Sequence, residues 1–160
     1  MKIPSSLISG FSGAVALTLL HEALRKTVKH APRMDRMGEE AIQKIIGSTG
    51  HKVPSKDSLF NVTMAGDVAG NAMYYSMISA LPVNPVVAGA GLGLAAGIGA
   101  VLLPEPMGLN EKYSNATTRT QVLTIAIYLA GGIVAGLVHK RLKKDKTPVK
   151  ELTGEGLAIH

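Results

Sequence analysis

The stretch VNPVVAGAGLGLAAGIGAVLL, Val83 to Leu103, decides the fold. It carries no charged residue and is fenced by Pro82 and Pro104. Glycine recurs at every fourth position, at Gly89, Gly93 and Gly97, and a second row follows Gly91, Ala95 and Gly99. On a helix such rows become bare grooves along which a second helix can approach backbone to backbone. That suits lipid better than water, because in lipid close packing replaces the missing hydrophobic drive between helices. The expected fold class is an all-α membrane protein, a four-transmembrane-helix bundle with glycine-mediated packing and a short amphipathic helix between helices 1 and 2.

Outward from this stretch the apolar residues, 46% of the chain, are bunched into runs. The others are Ile3 to Leu24, Leu59 to Leu81 and Val122 to Val138. A crossing helix needs about 20 apolar residues, which predicts spans at about 3–28, 58–81, 83–103 and 119–142 in one bundle domain, 1–142. Between the first two, Met34, Met37, Ala41, Ile42, Ile45 and Ile46 fall on one helical stripe ending at Gly47, so an interfacial amphipathic helix is expected at about 34–47. The tail, 143–160, is basic and expected to carry little fixed structure. The first run lacks a small-x-small cleavage site and is kept as a mature helix. Cysteine is absent, which excludes disulfides, thiolate metal sites, iron–sulfur clusters and cysteine acylation.

The net charge of +6 comes from two basic clusters, Arg25 to Lys56 and Lys140 to Lys150. Beside membrane helices such clusters set topology and touch anionic headgroups of the bilayer. Nucleic acid is not an expected partner, since the basic residues are not interleaved with aromatics. Four crossings divide Lys and Arg almost evenly between the two sides. A three-crossing chain, with Val83 to Leu103 re-entrant, would satisfy the charge rule better but would leave backbone uncovered in lipid. Four crossings with both termini in the cytoplasm is the preferred arrangement.

The chemistry-bearing residues are few. In the first helix Thr18, His21, Glu22 and Arg25 share a side, with Glu22 and Arg25 spaced to pair. They are read either as an ordinary helix end at the headgroup boundary or as a functional pair facing the interior. In the second, Thr63, Asp67, Asn71 and Tyr74 fall within an arc of about 80°. Asp67 near its middle is an ionisable group at membrane depth, costly by roughly 2.5–3.5 kcal/mol unless it faces protein or water. It is packing glue, a proton or cation site, or a partner-facing group. Asp67, Asn71, Tyr74, His21 and Glu22 form the candidate polar intramembrane site.

Gly66 and Gly70, with Gly89, Gly93 and Gly97 and with Gly132 and Gly136 of the fourth helix, are the expected helix-packing positions. The connector LPVNP folds the third helix back on the second, so the third is expected to hold Asp67 and Asn71 in the interior. The fourth helix puts Gln121, Thr124, Tyr128, Gly132 and His139 near one face. Gly91, Gly93 and Ala96 match a dinucleotide fingerprint, with Glu111 downstream, but the motif needs a strand before it and a βαβ setting that the chain lacks. No catalytic set, metal set or cofactor is assigned, and the chain is read as a non-enzyme.

The glycine- and alanine-rich SGFSGAVALTLL, the polar APRMDRMGEEAIQKII, AGDVAGNAMYYS, the exit LLPEPMGLNE and IYLAGGIVAGLV together resemble small YagU-like bacterial inner-membrane proteins. The resemblance implies four helices and an inner membrane, and implies no activity.

Three functions are weighed. The first is a structural or accessory subunit, self-associating or bound to a membrane protein partner, supported by small-residue rows on every helix. The second is a small oligomeric transporter or channel using Asp67. The third is a haem protein with His21 and His139 as axial ligands.

Overall fold

A computed structural model describes residues 4–144, and the remainder of the basic tail lies outside the described residues. Helices account for the architecture: α1 (Ser5–Thr27), α2 (Met34–Ser48), α3 (Lys56–Ser76), α4 (Pro85–Leu102), a one-turn α5 (Lys112–Asn115) and α6 (Thr118–Lys144). A 3-10 turn, Met77–Ala80, extends α3, and there is no strand among the described residues. The chain punctuates these helices with the expected chemistry. Asn84 caps α4 by accepting a hydrogen bond from Val86 N at 2.9 Å, and Pro85 opens the first turn where its missing N–H is harmless.

Three helices, α1, α4 and α6, are long and apolar enough to cross a membrane, and they mark the chain as a membrane protein. α3 is not among them. The outer surface carries Phe11, Leu19, Val62, Met73, Val87, Leu102 and Val122, each more than half exposed, while Ser9, His21, Thr63, Thr120, Thr124 and His139 are buried. An apolar exterior around a partly polar interior is the inverse of a protein that faces water.

The packing departs from the expected order in one respect. α4 lies chiefly against α6, not against its neighbour α3, which it touches sparingly. α1 packs on both α6 and α3. The reason is surface shape. A Cβ placed on Gly89, Gly93 or Gly97 would fall within 3.0 Å of α6 backbone at Gly132, Tyr128 or Ile125, and one on Gly132 would strike Gly89 in return. On the opposite flank Tyr74 and Tyr75 project from α3. Their hydroxyls donate to Leu92 O of α4 at 3.0 Å and Tyr128 O of α6 at 2.7 Å, so phenol rings span gaps that bare backbones close elsewhere.

Gly66 and Gly70 are a second difference from the sequence reading. A Cβ on either would meet nothing within 4 Å, and both lie on the exposed face of α3. Helical spacing reveals the row but not the side of the helix that has a neighbour.

One end of the bundle is tied by polar contacts into a floor. Thr120 Oγ1 donates to His30 O at 3.0 Å, Thr124 Oγ1 to Ser114 O at 3.1 Å, and Arg33 N to Tyr113 O at 2.7 Å. α2 rests across this end on α3, where Gly38 leaves room for the Thr63 methyl group. It is pinned to the loop after α4 by Lys44 Nζ donating to Gly108 O and by Asn110 N donating to Glu40 Oε2 at 3.1 Å. Gly108 has φ 70°, a left-handed conformation suited to glycine, and presents that carbonyl.

Candidate functional site

Where α3 and α4 stand apart, a cavity of about 490 Å³ opens between them. Ala95, Ala96, Gly99 and Ala100 of α4 line one wall, Met34, Met37 and Ala41 of α2 line another, and Leu103, Met107 and Leu109 close the end. Tyr128 of α6 forms the back. Small residues on α4 make the space, and flexible methionines line it without filling it in one fixed way. Ala95, Leu103 and Met107 are exposed at its rim, so it opens on the apolar exterior. In this otherwise apolar wall stand Asp67 and Tyr74.

Asp67 lies eleven residues into α3, about 16 Å along its axis. Asn71, one turn on, folds back on it, donating through Nδ2 to Asp67 Oδ1 at 3.0 Å and to Asp67 O at 2.9 Å. Tyr74, a further turn along the same face, is engaged with α4. Asp67 therefore keeps carboxylate capacity free for another donor, because Asn71 occupies one of about four lone-pair positions.

Asp67 also borders a second space, a hollow of about 10 Å³ between α1, α2 and α3, lined by His21, Met34, Asp35, Thr63 and Met64. His21 is buried, 4% exposed, near the end of α1. Its Nε2 lies 3.2 Å from Pro32 O and 3.3 Å from Met34 N, and 3.9 Å from Asp35 Oδ1. The carbonyl calls for a proton on that nitrogen and the N–H for a lone pair, so each protonation state of the ring finds one partner. Its Nδ1 is 3.8 Å from Glu22 Oε1. Glu22 itself is held by Arg25 through two 2.6 Å hydrogen bonds, with the Arg25 guanidinium 6.0 Å from the centre of the Phe60 ring.

Asp35 and Arg33 complete the cluster and were not singled out by the sequence. Arg33 Nε and Nη2 donate to the two oxygens of Asp35 at 2.9 and 2.6 Å. Burial pushes the Asp35 carboxyl up, yet the Arg33 hydrogen bonds and charge, together with the Arg36 backbone, hold it below the usual range. The same bonds raise Arg33. The signal available in the sequence is the R-x-D spacing of PRMD, placed where the chain turns into α2 beside a proline. Exposed basic segments contain such spacings often, and nothing local marks this one as buried.

The remaining sequence candidates fall elsewhere. His139 lies beside Ser9, its Nδ1 3.2 Å from Ser9 Oγ. Ser9 and His21 are twelve residues apart on α1, about 18 Å, so His21 and His139 cannot share one haem iron. Thr124 and Gln121 belong to the floor, where Gln121 Nε2 donates to Asn115 Oδ1. Among the described residues, no group of three or more His, Asp or Glu side chains could hold a metal ion.

The site thus consists of an apolar chamber and a polar hollow that share one wall residue, Asp67, within a helical membrane protein. No protein-family model, curated protein or solved structure matches the chain.

Proposed function

We propose that the protein is a small integral protein of a bacterial inner membrane, crossed by all four long helices, that binds an amphiphilic molecule entering its chamber from the bilayer. The observation that carries this reading is a carboxyl group, Asp67, set in the wall of an apolar space that opens on the lipid-facing exterior. Pockets of about 300–1,000 Å³ with few polar groups among apolar walls are the usual form of small-molecule sites. A carboxylate at their inner end selects a cationic or hydrogen-bond-donating head, with the alkyl part lying along Ala95, Ala96 and Met37.

α3 supports a crossing despite its lower apolarity because its charge is turned inward. Val62, Met73 and Met77 face out, while Asp67 stands in the chamber wall with Asn71 bonded to it. The glycine rows of α4 and α6 supply the close packing that lipid demands of a bundle. The basic residues of the α1–α2 segment sit at the end of the bundle where anionic headgroups would meet them.

Purified protein in lipid nanodiscs tests this with a fluorescent long-chain alkylamine and the matching alkyl carboxylate. The amine binds and the carboxylate does not; Asp67→Asn weakens the amine by about tenfold, one lost charge-assisted hydrogen bond. Equal binding of the two probes, or indifference to Asp67→Asn, refutes the reading.

A second reading, a structural or accessory subunit, is favoured by the unpartnered Gly66 and Gly70 face of α3. It predicts a homo-oligomer or a fixed membrane partner in mild detergent that is lost in Gly66→Val or Gly70→Val. A wild-type chain that is monomeric and alone under those conditions refutes it.

A further inference from the structure

We propose that the hollow behind Asp67 binds one water molecule and that this water is a proton link between Asp67 and His21. The first support is size. About 10 Å³ is close to the smallest space that admits a water, which requires two to four polar partners. The hollow offers them, since His21, Asp35, Thr63 and Asp67 all border it.

The second support is independent of the charges. Thr63 is 5% exposed and its Oγ1 has no hydrogen-bond partner, although a buried hydroxyl is costly to leave unmade. Helical threonines commonly satisfy themselves on the preceding turn, and Thr27 does so with Ala23 O at 2.7 Å. Thr63 does not, and borders a space that would hold a partner for it.

The chemistry needs only a shuttle. A proton leaving the Asp67 carboxyl joins the water oxygen as one of the water's own protons passes to the His21 ring nitrogen. The water is unchanged and one proton has moved. His21 is suited to either end of this step because its Nε2 meets both an acceptor, Pro32 O, and a donor, Met34 N. The charged groups around the ring are Glu22 and Arg25 on α1, Arg33 just before α2, Asp35 on α2, and Asp67 on α3; α6 adds the Tyr128 phenol, across the chamber. The two ion pairs, Glu22–Arg25 and Arg33–Asp35, leave His21 and Asp67 as the two groups between which a proton can pass without breaking a bidentate bond.

This link extends the chamber reading but does not require the amphiphile, so the two are tested apart. Infrared spectra of the full-length protein in nanodiscs, wild type and Asp67→Asn, identify the Asp67 carboxyl band and its exchange rate in D2O. Thr63→Val, which keeps shape but removes the hydroxyl, slows that exchange by at least about tenfold, and Thr63→Ser restores it. Thr63→Val leaves alkylamine binding at the wild-type level, whereas failure of the chamber reading appears as amine binding indifferent to Asp67 with the exchange effect intact. The proposal is overturned if Thr63→Val exchanges at the wild-type rate, if Thr63→Ser is as slow as Thr63→Val, or if no Asp67-dependent carboxyl band appears between about pH 4 and pH 9. A Na+-dependent shift of the band would give the hollow to a cation instead and overturns it equally.

Discussion

The α4–α6 contact makes a sharp demand on Gly89. An added Cβ there would lie within 3.0 Å of Gly132 O, with Gly136 N at 3.1 Å. Both obstacles are backbone, so no side chain can swing aside, and the helices must part by about 0.5–1 Å, a gap that forfeits a quarter to a half of each dispersion contact. If the local contact holds about 40 atom pairs, as around a buried leucine, at about 0.1–0.2 kcal/mol each, the loss is about 1–4 kcal/mol. The intrinsic helix preference of alanine over glycine returns up to about 1 kcal/mol. Gly89→Ala should therefore destabilise by about 2 kcal/mol, within the range for overpacked cores. Gly132→Ala should match it, and the double variant should cost less than the sum, because one separation accommodates both methyl groups. Gly66→Ala, with nothing within 4 Å, is the control and should be neutral or up to about 1 kcal/mol stabilising. Denaturation from mild detergent into SDS, followed by circular dichroism, measures all four. Gly89→Ala within about 0.5 kcal/mol of wild type, or Gly66→Ala as costly as Gly89→Ala, would show that the rows meet different surfaces.

Three further outcomes are expected. Arg33→Gln strands the Asp35 carboxylate, whose side chain is 5% exposed, and should cost about 3 kcal/mol, the low end for a broken buried pair because Arg33 itself is 35% exposed; the same denaturation measures it. Asp35 and Glu40 both have folded pKa values below the ordinary ones, Asp35 through Arg33 against burial and Glu40 through Asn110 N and Lys44. Their stabilisation is full above the unfolded values, near about 4, and drains as pH falls through the folded ones, so amide exchange in α2 should rise below about pH 4 while α4 and α6 stay protected. Tyr75→Phe removes the 2.7 Å bond to Tyr128 O and should cost about 0.5–1.5 kcal/mol, whereas an unchanged unfolding midpoint would mean the ring alone holds α3 in place.

Helix formation and three of the four expected spans were legible in the sequence because they rest on local properties, namely run length, periodicity and the Asn84–Pro85 start of α4. The partner of each face was not. Gly89 and Gly66 sit in similar fourfold rows, yet one meets α6 backbone and the other meets nothing among the described residues. That difference is set by tyrosines on another helix and by a contact between α4 and α6 that skips over α5. The site divides in the same way. The arc of Thr63, Asp67, Asn71 and Tyr74 follows from helical geometry, and the structure places Asp67 and Tyr74 on the chamber. Arg33 and Asp35 reach the cluster only because the α1–α2 turn brings α2 back over α3, and His21 joins it for the same reason. Single residues of these types carry no mark of the neighbours that a turn will give them.

Many of the polar contacts that join one helix to another end on main chain. Tyr74 reaches Leu92 O, Tyr75 reaches Tyr128 O, Thr120 reaches His30 O, Thr124 reaches Ser114 O, and Lys44 reaches Gly108 O. Apart from Gly108, whose φ of 70° suits glycine, each such contact constrains the residue that donates and leaves the identity of the accepting residue open, since every amino acid supplies the same carbonyl. Sequence drift in this fold should accordingly be lopsided. The tyrosines and threonines are fixed in place, while Leu92 and Ser114 opposite them can change, so residue covariation would understate how firmly these helices are joined.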